Sequence, residues 1–271
     1  MQKTILLTGA TDGIGLATAK MLAAQGHHLL LHGRSPEKLE AARQAVQAQA
    51  GAASVDIYLA DLSSLDEVIA LADAVSREHD HLDVLINNAG ILRTANPITA
   101  DGHDVRFVVN TLAPYLLVQK LMPLFDDSSR IVNLSSAAQS SVDARALAGE
   151  IRLSDDMAAY AQSKLAITMW SRQMAELLGD AGPMVVAVNP GSLLASKMVK
   201  EGFGVEGSDI NIGADILTRA ALSDEFADAS GQYYDNDSHR FAPPHGDALD
   251  ADKCQAVVGL IEDILKVRVG D

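Results

Sequence analysis

Short apolar runs alternate along the chain with longer stretches in which apolar residues recur at helical spacing, the pattern of parallel strands joined by crossover helices. The runs predict strands over Thr4 to Thr8, Leu29 to His32, Val55 to Leu59, Val84 to Asn87, Arg130 to Leu134 and Val185 to Asn189. The periodic stretches predict helices over Gly13 to Gln25, Pro36 to Gln49, Leu65 to Glu78, Asp101 to Phe125 and Asp155 to Leu178, and a final helix carrying Val257, Val258, Leu260, Ile261, Ile264 and Leu265 most simply docks on the domain, with a subunit contact as the alternative. Strand runs that are apolar throughout belong to a sheet covered on both faces. With no linker or repeat, residues 1–271 read as one α/β domain.

In an open parallel sheet ligands bind beyond the carboxyl ends of the strands. Those positions here read TGATDGIG, GR, DL, NNAG, SSAA and NPGS in strand order. Gly9, Gly13 and Gly15 lie between a strand and a helix, where bare backbone can approach a pyrophosphate and the helix start can face its charge; tight packing alone is the competing reading. Where an NAD site would place a carboxylate after the second strand, this chain has Gly33 and Arg34. A guanidinium there suits the 2′-phosphate of NADP(H) in preference to NAD(H), against the plainer reading of a solvated arginine. Asp61 is a candidate acceptor for the adenine amino group with Leu62 near the ring, or else a helix N-cap, although Ser63 or Ser64 is better placed to cap. Asn87 to Gly90, with Asn88, Ala89 and Gly90 as cofactor contacts, supplies carboxamides and a turn beside the cofactor, or a simple Asn-rich turn.

Tyr160 and Lys164 are spaced to emerge on one helix face, where an ammonium lowers a phenol toward a working pH and the pair can exchange a proton with an alcohol or carbonyl oxygen. Alone, such a pair is usually just a surface helix. Ser136, ending the fifth strand, can donate to the same oxygen, and Asn110 offers an exposed amide able to hold a water behind Lys164. No histidine and acid accompany Ser136, which argues for a donor and against a hydrolase nucleophile.

A formal net charge of −15 opposes nucleic-acid binding. No uninterrupted apolar stretch approaches the ~18 residues of a membrane span, and a strand beginning near Lys3 leaves no room for a leader, so the expected setting is cytoplasmic. Cys254 is the only cysteine, which excludes an internal disulfide and a thiolate cluster; no metal site is expected, and His79 and His81 read as solvated.

Together, TGATDGIG, NNAG, VNTLAPYLL, IVNLSS, YAQSK and NPG, in that order over roughly residues 3 to 200, resemble the short-chain dehydrogenase/reductase family. The resemblance implies a doubly wound Rossmann-type domain with a mainly parallel seven-stranded sheet and helices on both faces. It implies catalysis by Ser136, Tyr160 and Lys164, with Asn110 supporting a proton relay and Lys164 also holding the nicotinamide ribose. It adds Thr11, Asp12, Ile14, Pro190 and Gly191 to the cofactor contacts, and implies a homodimer or homotetramer through the helices flanking the sheet. The GR pair and the long interval between Ser136 and Tyr160 are similar to the retinol-dehydrogenase-like and protochlorophyllide-reductase-like branch; the absence of a cysteine before Cys254 argues against a light-driven reductase. Asp12 stands where many NADP-using relatives carry a basic residue, and the threonine that commonly follows Pro-Gly to bind the carboxamide is missing, with Ser196 as its substitute.

The insert after Ser136 reads as a flap beside the substrate or a decorated surface loop. Residues 192–250 are expected to shape the substrate pocket, with Met198, Phe203, Tyr233, Tyr234 and Phe241 as lining candidates, and YYDNDSHRFAPPHGDALD reads as an ordered surface loop. The expected function is hydride transfer between NADP(H) and a carbonyl or alcohol of a mostly apolar small molecule. Reduction of a conjugated C=C bond and a non-catalytic NADP(H) sensor are the alternatives.

Overall fold

Strands β1 (Thr4–Leu7), β2 (His28–Gly33), β3 (Val55–Leu59), β4 (Val84–Asn87), β5 (Arg130–Leu134), β6 (Met184–Asn189), β7 (Tyr233–Asp235) and β8 (Arg240–Phe241) form one sheet. The computed structural model describes residues 1–50 and 54–269, leaving out the side chains of residues 50, 197, 201, 203 and 267–269. Among these the strand order is β3-β2-β1-β4-β5-β6-β7-β8, so the sheet is eight-stranded where seven were expected. β1 to β7 run parallel, and β8 adds an antiparallel edge, with Tyr234 opposite Phe241. The run YYDNDSHRF is therefore a strand hairpin and not a surface loop.

The central strands are apolar throughout because helices cover both faces, whereas the edge strand β3 leaves Ile57 and Leu59 exposed. On one face Leu7, Leu31, Ile86 and Val186 pack under helices Gly13–Ala24 and Ile210–Leu222. On the other, Leu6, Leu85 and Ile131 pack under helices Leu65–Glu78, Val105–Leu124 and Asp156–Leu178 and the last helix, Ala251–Val269. Helix Val105–Leu124 is long and apolar enough to cross a membrane, but 72% of its most apolar window is buried inside the fold. It starts later than its apolar pattern suggests. The chain bridges Ile98 to Asp104 before Asp104 caps the helix through Arg106 N, and its second turn, Val108–Leu112, is a π-turn.

Within the insert after Ser136, helix Ala144–Leu147, capped by Asp143, buries Ala146 and Leu147 in the core. The last helix seats Val258, Ile261 and Leu265 in the cluster that holds Trp170, and Glu262 accepts a 2.9 Å bond from the Tyr115 hydroxyl. Strand order reverses between β1 and β4, whose carboxyl ends carry the glycine turn and the NNAG turn; this switch point is where an open α/β sheet makes its crevice.

Candidate active site

At the end of β1 the chain turns at Gly9 with φ +67°, in the left-handed region that a side chain resists. A Cβ on Gly9 would sit 2.8 Å from Ala89 Cα, and one on Gly15 would sit 2.2 Å from Gly9 O and 2.5 Å from Asn88 Nδ2. The glycine turn and the NNAG turn therefore touch backbone to backbone. Asn88 fastens them, its Nδ2 donating to Thr8 O and Gly9 O at 2.9 and 3.0 Å, while the N–H groups of Asn88 and Ala89 donate to Thr8 Oγ1 at 3.1 Å. Asp12 caps the helix, its Oδ1 accepting from Gly13 N at 2.7 Å. Because the first intrahelical bond is Leu16 N to Asp12 O, the N–H groups of Ile14 and Gly15 lie at the helix start with no carbonyl of their own.

His32, buried at 3% exposure, is a residue sequence reasoning passed over. Its Nδ1 accepts from Gly9 N at 3.2 Å, and the other ring nitrogen lies 3.0 Å from Ala60 O, so the neutral ring carries its proton on Nε2. Burial lowers its pKa to about 4, which keeps it in that form. A polar residue inside the apolar run HLLLHG is the signal that could have found it. At the next residue, Gly33, a Cβ would meet Thr11 Cγ2 at 2.4 Å, so Thr11 closes over the end of β2. Arg34 follows, exposed and without an ion pair among the described residues. Asp61 turns its Oδ1 to Ser63 N and Ser63 Oγ at 2.9 and 2.8 Å; the helix cap is Ser64. Leu62 is buried at 6% exposure.

The acid–base candidates gather beyond β4 and β5. Lys164, 4% exposed, donates from Nζ to Leu134 O at 2.7 Å and lies 5.8 Å from the centre of the Tyr160 ring. A Cβ on Gly90 would stand 3.5 Å from that Nζ, 3.4 Å from Asn110 Oδ1 and 3.8 Å from Met198 Cε, so this glycine keeps the space in front of the lysine open. Burial alone brings the Lys164 ammonium down to about 8.

Ser136 Oγ accepts from Ala138 N at 3.1 Å, and the Ser136 side chain beside Tyr160 favours the phenolate. Burial outweighs it, and the Tyr160 hydroxyl stands above its ordinary value. This corrects the expectation that Lys164 draws it down: the ammonium points at a carbonyl, and the removal of water from the phenol dominates.

Asn110 is also corrected. Its amide is 1% exposed, not open to solvent. Oδ1 accepts from Ile91 N at 2.8 Å, and Nδ2 donates to Ile91 O and Ser163 Oγ at 2.9 Å. In its π-turn, a geometry often found at functional sites, it pins the NNAG segment to the Tyr160 helix. Ser163 and Ser135, unremarked in the sequence, complete that attachment: Ser163 Oγ donates to Tyr160 O, and Ser135 Oγ reaches Lys164 O and Thr168 Oγ1.

After β6, Pro190 O accepts from Asn236 Nδ2 at 2.9 Å, Gly191 has φ +121°, and Asp237 takes bonds from Ser192 N, Ser192 Oγ and Asn189 Nδ2. Ser196 caps helix Lys197–Phe203 through Val199 N, and its Cβ is the nearest neighbour of a Cβ built on Gly13 at 3.7 Å, so it stands beside the glycine turn with its hydroxyl engaged. Of the pocket candidates, Met198 reaches the site, whereas Tyr234 and Phe241 pack with Phe226 in the core at ring distances of 5.0–5.2 Å. Tyr233 is buried behind Ser136, and the Phe203 side chain lies outside the described residues. A cleft of about 320 Å³ opens between Leu92, Arg93, residues 154–157 and Gly202, one turn before Tyr160.

The model of the family described as short chain dehydrogenase matches residues 3–204. Retinol dehydrogenase 13 of Homo sapiens is 33% identical over 265 residues, 90% of this chain and 80% of that protein. A solved protein from Mycobacterium paratuberculosis superposes with TM-score 0.81 at 28% identity, covering 98% of this chain and 94% of that one. A metagenomic short-chain oxidoreductase, solved in complex with NADP, superposes with TM-score 0.62 at 28% identity over 81% and 90% of the two chains.

Proposed function

Because this chain belongs to the short-chain dehydrogenase family, we propose that it is an NADP(H)-dependent oxidoreductase that interconverts a carbonyl and an alcohol on a mostly apolar small molecule, with Tyr160 as the acid and base. The observation that carries this reading is Ser136 placed against the half-buried Tyr160, with the buried Lys164 ammonium 5.8 Å from the phenol ring and the space in front of it kept open by Gly90.

The residues fit the cofactor. The glycine turn is a cradle that a Cβ on Gly9 or Gly15 would fill, the N–H groups of Ile14 and Gly15 at the helix start suit a pyrophosphate, and Arg34, exposed and without an ion pair among the described residues, suits a 2′-phosphate. Structural relatives bound to NADP, such as the metagenomic oxidoreductase, support the same choice. When bound, NADP(H) supplies or accepts the hydride.

The chain's own residues handle the proton. With its hydroxyl raised by burial, Tyr160 is a neutral phenol at neutral pH, the form that can donate to a carbonyl oxygen in the reducing direction. Ser136 donates its O–H toward the same oxygen and stabilises charge that gathers there. Lys164 is still protonated below about pH 8, and its ammonium stabilises the phenolate left after the transfer. Asn110, Ser163 and Ser135 hold the helix and the NNAG segment at fixed separation. Leu92 and Met157 give the neighbouring cleft apolar wall, with Arg93 and Asp155 at its rim, and the similarity to a retinol dehydrogenase favours apolar aldehydes or ketones and their alcohols as substrates.

The test is Tyr160→Phe assayed on a panel of apolar aldehydes and ketones with NADPH. Turnover should vanish while NADPH affinity stays within about twofold, as expected for a group that acts in the transition state alone. Turnover retained in the variant would exclude Tyr160 as the acid.

A further inference from the structure

Beyond β5 the carbonyl of Ser136 is held by two side chains from different parts of the chain. Tyr233, 97 positions onward in β7, donates its hydroxyl to Ser136 O at 3.1 Å, and Gln139 donates from Nε2 to the same oxygen at 2.9 Å. Gln139 in turn accepts from His245 N at 3.3 Å.

The Tyr233 hydroxyl is not needed for the sheet. Pairing of β7 with β6 already fixes that strand, with Tyr233 opposite Ala187, and at 6% exposure a phenylalanine ring would fill the same place. What the hydroxyl adds is one bond, and that bond goes to the peptide of the serine whose side chain interacts with Tyr160. The position of that Oγ is set by the local turn in which it accepts from Ala138 N. A carbonyl free to rotate would release the turn and let the hydroxyl swing away.

We propose that Tyr233 and Gln139 are positioning residues for the acid–base group, clamping the Ser136 carbonyl so that the serine O–H stays aimed at Tyr160. The inference rests on the reading of Tyr160 as the acid, and its test has a readout that needs no turnover. In protein labelled with [ζ-13C]tyrosine, the Tyr160 resonance is identified by its loss in Tyr160→Phe, and Ser136→Ala gives its position without the serine bond. In Tyr233→Phe the Tyr160 resonance should move toward the Ser136→Ala position, and in Gln139→Leu, a change at a half-buried loop residue, it should move the same way.

With an apolar aldehyde, kcat should fall about fivefold to tenfold in Tyr233→Phe, the scale of a misaimed group, while KM and NADPH affinity hold. Placed in the Ser136→Ala background, Tyr233→Phe should cost nothing more, because there is no hydroxyl left to aim. A Tyr160 resonance unmoved in both variants, or the same fold loss in the Ser136→Ala background, overturns the clamp. A wild-type protein inert on every carbonyl would overturn the functional reading instead, and the resonance would still decide the clamp.

Discussion

Gly15→Ala sets two opposed effects against each other. Inside a helix, alanine is favoured over glycine by about 0.8–1 kcal/mol, so helix propensity alone predicts a more stable protein. The contacts predict the reverse. The new Cβ would stand 2.2 Å from Gly9 O and 2.5 Å from Asn88 Nδ2, about 1 Å inside ordinary van der Waals separation. Neither neighbour retreats freely, since Gly9 is held by His32 and Asn88 bridges Thr8 O and Gly9 O. Overpacking of this kind costs about 1–3 kcal/mol, and losing the Asn88 to Gly9 bond adds about 1 kcal/mol. Steric cost therefore outweighs propensity, leaving a net loss of about 1–3 kcal/mol and a Tm lower by about 3–10 °C for a domain of this size. The helix start moves away from the turn with it, so NADPH affinity, read by fluorescence titration, should drop at least about tenfold. A variant with unchanged or higher Tm and wild-type NADPH affinity would refute the backbone contact between the two turns.

Arg34→Ala should weaken NADP(H) by the ~1.5–3 kcal/mol of a charge-assisted bond and spare NAD(H) in calorimetric titrations; equal losses for both cofactors count against the 2′-phosphate role. Arg106 is 1% exposed and joins buried Asp104 to Asp156 in the first turn of the Tyr160 helix, so Arg106→Met leaves a buried carboxylate unpaired and should cost about 3 kcal/mol in urea unfolding. A loss under about 1 kcal/mol would show the pair to be solvated. Lys164, protonated in the unfolded chain up to its ordinary 10.5 but only to about 8 when folded, makes stability rise with pH between those values, because the unfolded state then binds the extra proton. The stability difference between wild type and Lys164→Met should climb by up to about 3 kcal/mol across that window; a flat difference contradicts a desolvated ammonium.

The strand ends are legible in the chain because buried parallel strands leave unbroken apolar runs, and the residues after each run fall where the sheet opens. Gly9, Gly15, Asn88, Ser136, Tyr160 and Lys164 meet at the switch point for that reason. What spacing cannot carry is the surroundings of each group. Tyr160 is raised and not lowered because burial outweighs its hydrogen bond with Ser136, and Asn110 lies buried in a π-turn with its amide bonded to Ile91 and Ser163. Helix Ile210–Leu222 and the β7–β8 hairpin lie past the last motif, where no strand-end pattern marks them, and so Tyr234 and Phe241, which read as pocket residues, turn out to close the core.

The chain holds a single tryptophan, Trp170, fully buried edge-on to Tyr115 at 5.5 Å, and Tyr115 is itself tied to Glu262 of the last helix. Docking of helix Ala251–Val269 is thus written into one fluorophore. Removal of helix Ala251–Val269 should admit water to the indole and shift its emission to longer wavelength, and during refolding the same change in reverse marks the moment this helix seals its side of the sheet.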